Sequence, residues 1–152
     1  MPEKARRPAA GTILAFDFGL QRIGVAVGEP EVGSAHPLPA LAAATQPGRH
    51  TAIERLVLEW KPSLLVVGRP LGDDGAPHEM TRRAERFARQ LTERLRLPVE
   101  LVDERYSSAE AESRVRAAYG ARKAVALARG KALDSQAALL ILEQYFNDQQ
   151  TA

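Results

Sequence analysis

A chain of 152 residues with 45% hydrophobic and 26% charged side chains has the size and mixture of a single globular domain, which excludes disordered, collagen-like and low-complexity classes. Cysteine is absent, removing disulfide frameworks, thiolate zinc sites and cysteine nucleophiles together, and no apolar run approaches the ~18 residues of a membrane span. The formal net charge is only +2, and MPEKARRPAA carries charge with no apolar segment after it, so the start is read as neither signal peptide nor membrane anchor and the expected location is the cytoplasm.

Residues 1–11 read as a flexible basic tail, 12–147 as one domain and 148–152 as a second tail. TILAFDF (12–18) and RIGVAV (22–27) are two β-prone runs close enough to form an antiparallel hairpin. A weaker extended stretch covers 34–44, where Pro37 and Pro39 restrict it to an edge or irregular strand. Ile53, Leu56, Val57 and Trp60 fall at helical spacing over 49–60, and Pro62 closes that helix. LLVV (64–67), stopped by Gly68, has the pattern of a strand buried on both faces, and the turn-rich loop GRPLGDDGAP follows it.

A helix over 78–96 places Ala84, Phe87, Ala88, Leu91 and Leu95 on one stripe, with Arg82, Arg83, Arg86 and Arg89 largely off it. PVELVDE (98–104) is the next strand, and strand, helix and strand together make a βαβ unit with parallel strands. Ser107 and Glu110 form a capping box that starts a helix near 108. Between 105 and 131, seven basic residues (Arg105, Arg114, Arg116, Arg122, Lys123, Arg129, Lys131) face only Glu110 and Glu112, a local excess of positive charge suited to a polyanion. It predicts a shallow salt dependence, with ~3–5 phosphates neutralised. A last helix over 131–147 carries Leu133, Ala137, Leu140 and Ile141. The order gives an α/β fold with one mixed sheet flanked by helices.

Three acids have apolar neighbours. Asp17 shares a strand face with Ile13 and Ala15, Asp103 and Glu104 end the strand 98–104, and Asp134 shares a helix face with Ala137, Ala138 and Ile141. A buried carboxylate is costly unless a cation or hydrogen bonds compensate it. If the first strand and the 98–104 strand are direct neighbours and the last helix crosses them, the acids converge on a hard divalent cation, Mg²⁺ or Mn²⁺. Each acid also has an ordinary use: Asp17 opening a turn, Asp134 capping a helix, Asp103 or Glu104 pairing with Arg105. Asp17-Phe18-Gly19 lacks the other parts of a kinase, and Gly130-Lys131 lacks the upstream glycine of a P-loop. His36, His50 and His78 are scattered and are expected to be ordinary surface histidines.

AFDFGLQRIGVAV (15–27), VVGRPLGDDG (66–75), VDERYSSAEAE (102–112) and KALDSQAALLILEQYF (131–146) resemble, in order, the four motifs of the YqgF (RuvX-like) family, relatives of the Holliday-junction resolvases. The resemblance implies an RNase H-like fold with a five-stranded mixed sheet of order 3-2-1-4-5. That order puts the 64–68 strand, not 98–104, beside the first. It further implies a metal site of Asp17, Glu104 and Asp134, with Glu104 preferred to Asp103. Arg22, Arg105, Lys131, Arg69, Arg122 and Lys123 become candidates for nucleic-acid contact.

The function so implied is a Mg²⁺- or Mn²⁺-dependent nuclease, with work on the 5′ end of pre-16S rRNA or on branched DNA. The expected partners are nucleic acid and the ribosome-assembly machinery, with no membrane, for a monomer or homodimer. A non-catalytic RNA-binding module is the competing class. Nucleotide binding of the actin-like kind ranks last, because it needs a duplicated domain.

Overall fold

The computed structural model describes residues 11–42, 46–72, 74–104 and 135–151. Five strands, β1 (Ile13–Asp17), β2 (Arg22–Glu29), β3 (Ser34–Ala42), β4 (Leu64–Arg69) and β5 (Val99–Asp103), form one sheet in the order β3-β2-β1-β4-β5. β1–β2 and β2–β3 pair antiparallel, whereas β1–β4 and β4–β5 pair parallel. Direct adjacency of β1 and the 98–104 strand, the simplest expectation from the residues alone, is therefore corrected: β4 lies between them. The apolar run of β4 belongs in the middle of the sheet, and its residues Leu64–Gly68 are buried. Pro37 and Pro39 sit in the edge strand β3, where no outer neighbour needs their missing N–H groups.

Alternation along the strands sorts the core into two layers. Leu14, Phe16, Val25, Leu65 and Val67 face helices α1 (Gln46–Trp60) and α2 (Glu79–Leu95). Ile13, Ala15, Ala26, Val66 and Val102 face helix α3 (Gln136–Thr151). On the first face Phe87 of α2 meets Phe16 edge-on, with ring centroids 6.0 Å apart and an interplanar angle of 81°. α1 stops where Lys61 takes a left-handed backbone (φ 47°) ahead of Pro62, which cannot continue a helix.

At the start of α2 the His78 Nδ1 accepts from the Met80 N–H at 3.2 Å, while Thr81 Oγ1 accepts from the His78 N–H at 3.0 Å. Thr81, fully buried, also donates its hydroxyl to the Pro70 carbonyl, fixing the first turn of α2 to the end of β4.

Two expectations change. His50 is buried rather than superficial: it lies in the α1–α2 contact, where burial, and then Arg94 and Arg49, hold it below the usual histidine range. α3 continues to Thr151, past the expected end at 147, because Asn147–Thr151 contains no glycine or proline to stop it. The capping box at Ser107 and the basic stretch 105–131 lie outside the described residues. No described helix is long and apolar enough to cross a membrane.

Candidate active site

β1, β4 and β5 run parallel and finish at the same edge of the sheet, and there two carboxylates face the α3 layer. Asp17 ends β1 in the alternation of Ile13 and Ala15, both of which pack in that layer. Glu104 follows Asp103, in the alternation of Val102, again of the α3 layer. Its backbone N–H donates to the Arg69 carbonyl at 3.1 Å, extending the β4–β5 ladder one step beyond the strand. Immediately after Asp17 the chain must reverse tightly into β2. A Cβ on Gly19 would lie 2.5 Å from the Arg22 carbonyl oxygen, so only glycine fits that turn.

Gly68 makes room for Glu104 to lean over β4 toward the β1 side. It lies in β4, one residue beyond the Phe16–Val67 partners and opposite Val102 of β5, so it occupies the strip between Asp17 and Glu104. A Cβ there would stand 3.0 Å from Glu104 Oε2 and would collide with the Ile141 Cδ1 of α3. The missing side chain leaves a cradle that the Glu104 carboxyl enters. Asp103, one residue earlier, points to the opposite face. There Arg69 holds it at 2.8 Å and, with its Nε, holds Glu85 of α2 at 2.8 Å.

Burial pushes the Asp17 carboxyl up to about 6. Glu104 is pushed up to about 7, by burial first and then by the negative charge of Asp17. That second cause shows that the two carboxyls feel one another, and no described cation pulls either back down. Paired, half-buried oxygen donors without a countercharge are a donor set for a hard divalent cation. Among the described residues no group of three such ligands occurs.

Asp134, the expected third acid, lies outside the described residues, as do Arg105, Arg122, Lys123 and Lys131. Its chain neighbour Ser135 is fully buried, and the Ser135 Oγ accepts from the Val25 N–H at 2.9 Å. The register of β2 against β3 slips between Ile23 and Val25, and the β-bulge frees that amide from the ladder. Gly24, within the bulge, is the partner of Asp17 in the β1–β2 pairing. Ser135 therefore docks the start of α3 one residue away from the strand position facing Asp17.

Of the remaining candidates, Arg22 opens β2 at this same edge and is exposed. The Arg69 guanidinium is engaged by two carboxylates on the α2 side of the sheet. Sequence reasoning missed Gly68, Ser135 and Gln144. Gln144, buried on α3, donates to the Asp103 carbonyl at 2.5 Å and pins the backbone leading into Glu104. Gly68 was detectable from strand alternation once the strand order was in hand. Ser135 and Gln144 carry no comparable signal.

A mixed sheet of order 3-2-1-4-5, with one acid ending the first strand and a second just past the last, defines an RNase H-like α/β domain with a carboxylate site. The chain belongs to the RuvX family: the family model described as "Holliday junction resolvase" matches residues 11–148. It is 48% identical over 136 residues to the Paraburkholderia xenovorans (strain LB400) protein named "Putative pre-16S rRNA nuclease", covering 90% of this chain and 88% of that one. A protein of the same name from Nitrosospira multiformis (strain ATCC 25196 / NCIMB 11849 / C 71) is 48% identical over 151 residues, 99% of this chain and 96% of that one.

Two solved resolvases share the fold. Fowlpox virus resolvase, with Holliday junction DNA, gives a TM-score of 0.55 at 9% identity over 88% of this chain and 97% of that one. T. thermophilus RuvC, in complex with Holliday junction substrate, gives 0.52 at 17% identity over 93% and 97%.

Proposed function

We propose that the chain is a cytoplasmic, divalent-metal-dependent nuclease that hydrolyses phosphodiester bonds in structured nucleic acid, with the 5′ end of pre-16S rRNA as its substrate. The observation that carries this reading is the pair of carboxylates at the ends of the strands on either side of Gly68, each raised by burial and neither neutralised by a described cation. Asp17 and Glu104 would hold Mg²⁺ or Mn²⁺, and Asp134, covalently joined to the anchored Ser135, would complete the set. Bound there, the ion supplies charge neutralisation at the phosphate and activation of the attacking water.

The chain's own residues do the rest. Gly68 keeps the cradle open, and the Gln144 bond to the Asp103 carbonyl fixes the backbone that presents Glu104. Arg22, at the same sheet edge, is placed to contact the backbone of a substrate strand, and Arg105 and Lys131 are assigned the same task. The substrate follows from the names of the relatives near half identity, and branched DNA follows from the description of the family model.

The deciding experiment incubates wild type and Asp17→Asn with 5′-extended pre-rRNA, a four-way junction or single-stranded DNA, in Mn²⁺, Mg²⁺ or EDTA. Cleavage of the RNA by wild type with metal, lost in EDTA and in Asp17→Asn, is the expected result. Undiminished metal-dependent cleavage by Asp17→Asn would overturn the site. Preferential cutting of the junction would replace the substrate and keep the site.

A further inference from the structure

The outer face of α2 carries charge that neither the core nor the carboxylate site uses. Its basic residues (Arg82, Arg83, Arg86, Arg89, Arg94) are all arginine. Arg83 pairs with Glu79 at 2.7 Å, one turn back, and Glu85 is held by Arg69. Arg94 lies off this row, beside His50 of α1, which leaves Arg82, Arg86 and Arg89, all exposed, and among the described residues none of these three forms an ion pair. At helical spacing the three fall on one stripe, about 10 Å long at 1.5 Å per residue. Two acids close the stripe at its ends, Glu79 a turn before Arg82 and already paired with Arg83, and Glu93 a turn beyond Arg89.

The stripe begins at the reactive end of the sheet. Thr81, bonded to the Pro70 carbonyl, ties the first turn of α2 to the end of β4, the strand that holds Gly68. α2 also packs beside β5, which among the described residues is an edge strand and whose exit carries Glu104. The route from the carboxylates around that edge passes Asp103, Arg69 and Glu85 and arrives on α2.

We infer that Arg82, Arg86 and Arg89 form a track for the phosphate backbone of nucleic acid extending from the site. This rests on the nuclease reading above. Guanidinium groups suit it because each grips a phosphate through a planar pair of N–H donors. Contacts to phosphates carry no sequence information, so such a track holds the strand in place irrespective of sequence.

The test measures binding of a fluorescent 5′-extended hairpin RNA by anisotropy across a KCl series. All proteins carry Asp17→Asn so that the probe stays intact. Three are compared: the Asp17→Asn parent, the triple variant Arg82→Gln/Arg86→Gln/Arg89→Gln, and the corresponding triple Lys variant. Each phosphate contact contributes about 0.7–0.9 to the slope of log K against log salt, so the Gln variant should lose about 2–3 from the slope. Its affinity should weaken equally for RNAs of unrelated sequence, and the Lys variant should keep most of the slope.

Circular dichroism matching the parent ensures that a lost slope is lost charge and not lost fold. A Gln variant with the parent's slope overturns the track while leaving the nuclease reading intact. A parent that binds no nucleic acid at any salt overturns both, and a Gln variant weakened for one sequence only overturns the backbone role.

Discussion

Gly68→Ala adds one methyl group at the point where β4, α3 and Glu104 converge. No left-handed backbone is involved, because Gly68 is absent from the positive-φ glycines, so the consequence is steric. The new Cβ collides with Ile141 Cδ1, lies 3.0 Å from Ile141 Cγ1 and reaches 3.0 Å from Glu104 Oε2. Ile141 is 2% exposed and cannot withdraw into solvent, whereas the half-buried Glu104 can. Overpacking of this kind costs about 1–3 kcal/mol, or roughly 2–12 °C of thermal midpoint in a chain of this length. Displacing the Glu104 carboxyl by part of an ångström should lower kcat by about 10–100-fold.

The assay pairs thermal denaturation with metal-dependent RNA cleavage on Gly68→Ala and on Gly68→Ala/Ile141→Val. Truncating Ile141 removes the worst contact at a cost of about 0.5–1.5 kcal/mol, so stability should recover relative to Gly68→Ala. The Glu104 contact persists in the double variant, so activity should not recover. A Gly68→Ala protein with full activity, or a double variant whose activity returns along with its stability, would refute the claim that Gly68 is empty for the sake of Glu104.

Two further outcomes are expected. Asp17 and Glu104 hold protons more tightly folded than unfolded, so the stability they contribute without metal is present below about pH 4 and lost as pH rises through about 6 and 7. In EDTA the thermal midpoint should fall across that window, Asp17→Asn should flatten the fall and melt higher than wild type near pH 7.5, and Mg²⁺ should raise wild type there; scanning fluorimetry from pH 4 to 8 checks all three. Ser135→Ala strands the Val25 N–H that the β-bulge leaves to it, which costs about 1–3 kcal/mol, and Ser135→Thr, which keeps the hydroxyl, should lose less. Urea denaturation of the two variants measures the difference.

Much of the fold was written in local chemistry. The hairpin of β1 and β2, the edge position of the proline-bearing β3 and the buried run of β4 each follow from residue type and period. The neighbour of β1 was not, because alternation specifies a face and says nothing about which strand lies alongside; the family resemblance supplied the order. The acids divide in the same way. Asp17 was legible because its face companions Ile13 and Ala15 are core residues. Asp103 and Glu104 could not be separated without the β4–β5 register, since one residue of slip exchanges their faces. His50 escaped because a lone histidine on an amphipathic helix has the same pattern whether its turn meets water or α2.

The separation of Asp103 from Glu104 also explains how a carboxyl raised by burial can persist at an edge strand. An unbraced strand end frays, and a carboxyl with a raised pKa adds repulsion to that tendency at neutral pH. Here the same two-residue segment is braced on both sides. Arg69 ties Asp103 to Glu85 on the α2 face, and Gln144 of α3 holds the Asp103 carbonyl from the other. The Glu104 N–H, bonded to Arg69, closes the ladder behind them. Asp103 is thus held by structure so that Glu104, turned the opposite way by the pleat, can remain without a counter-ion among the described residues. An acid with no cation of its own, on a backbone that cannot retreat, is the arrangement a divalent ion requires: firm geometry, and charge left for the ion to neutralise.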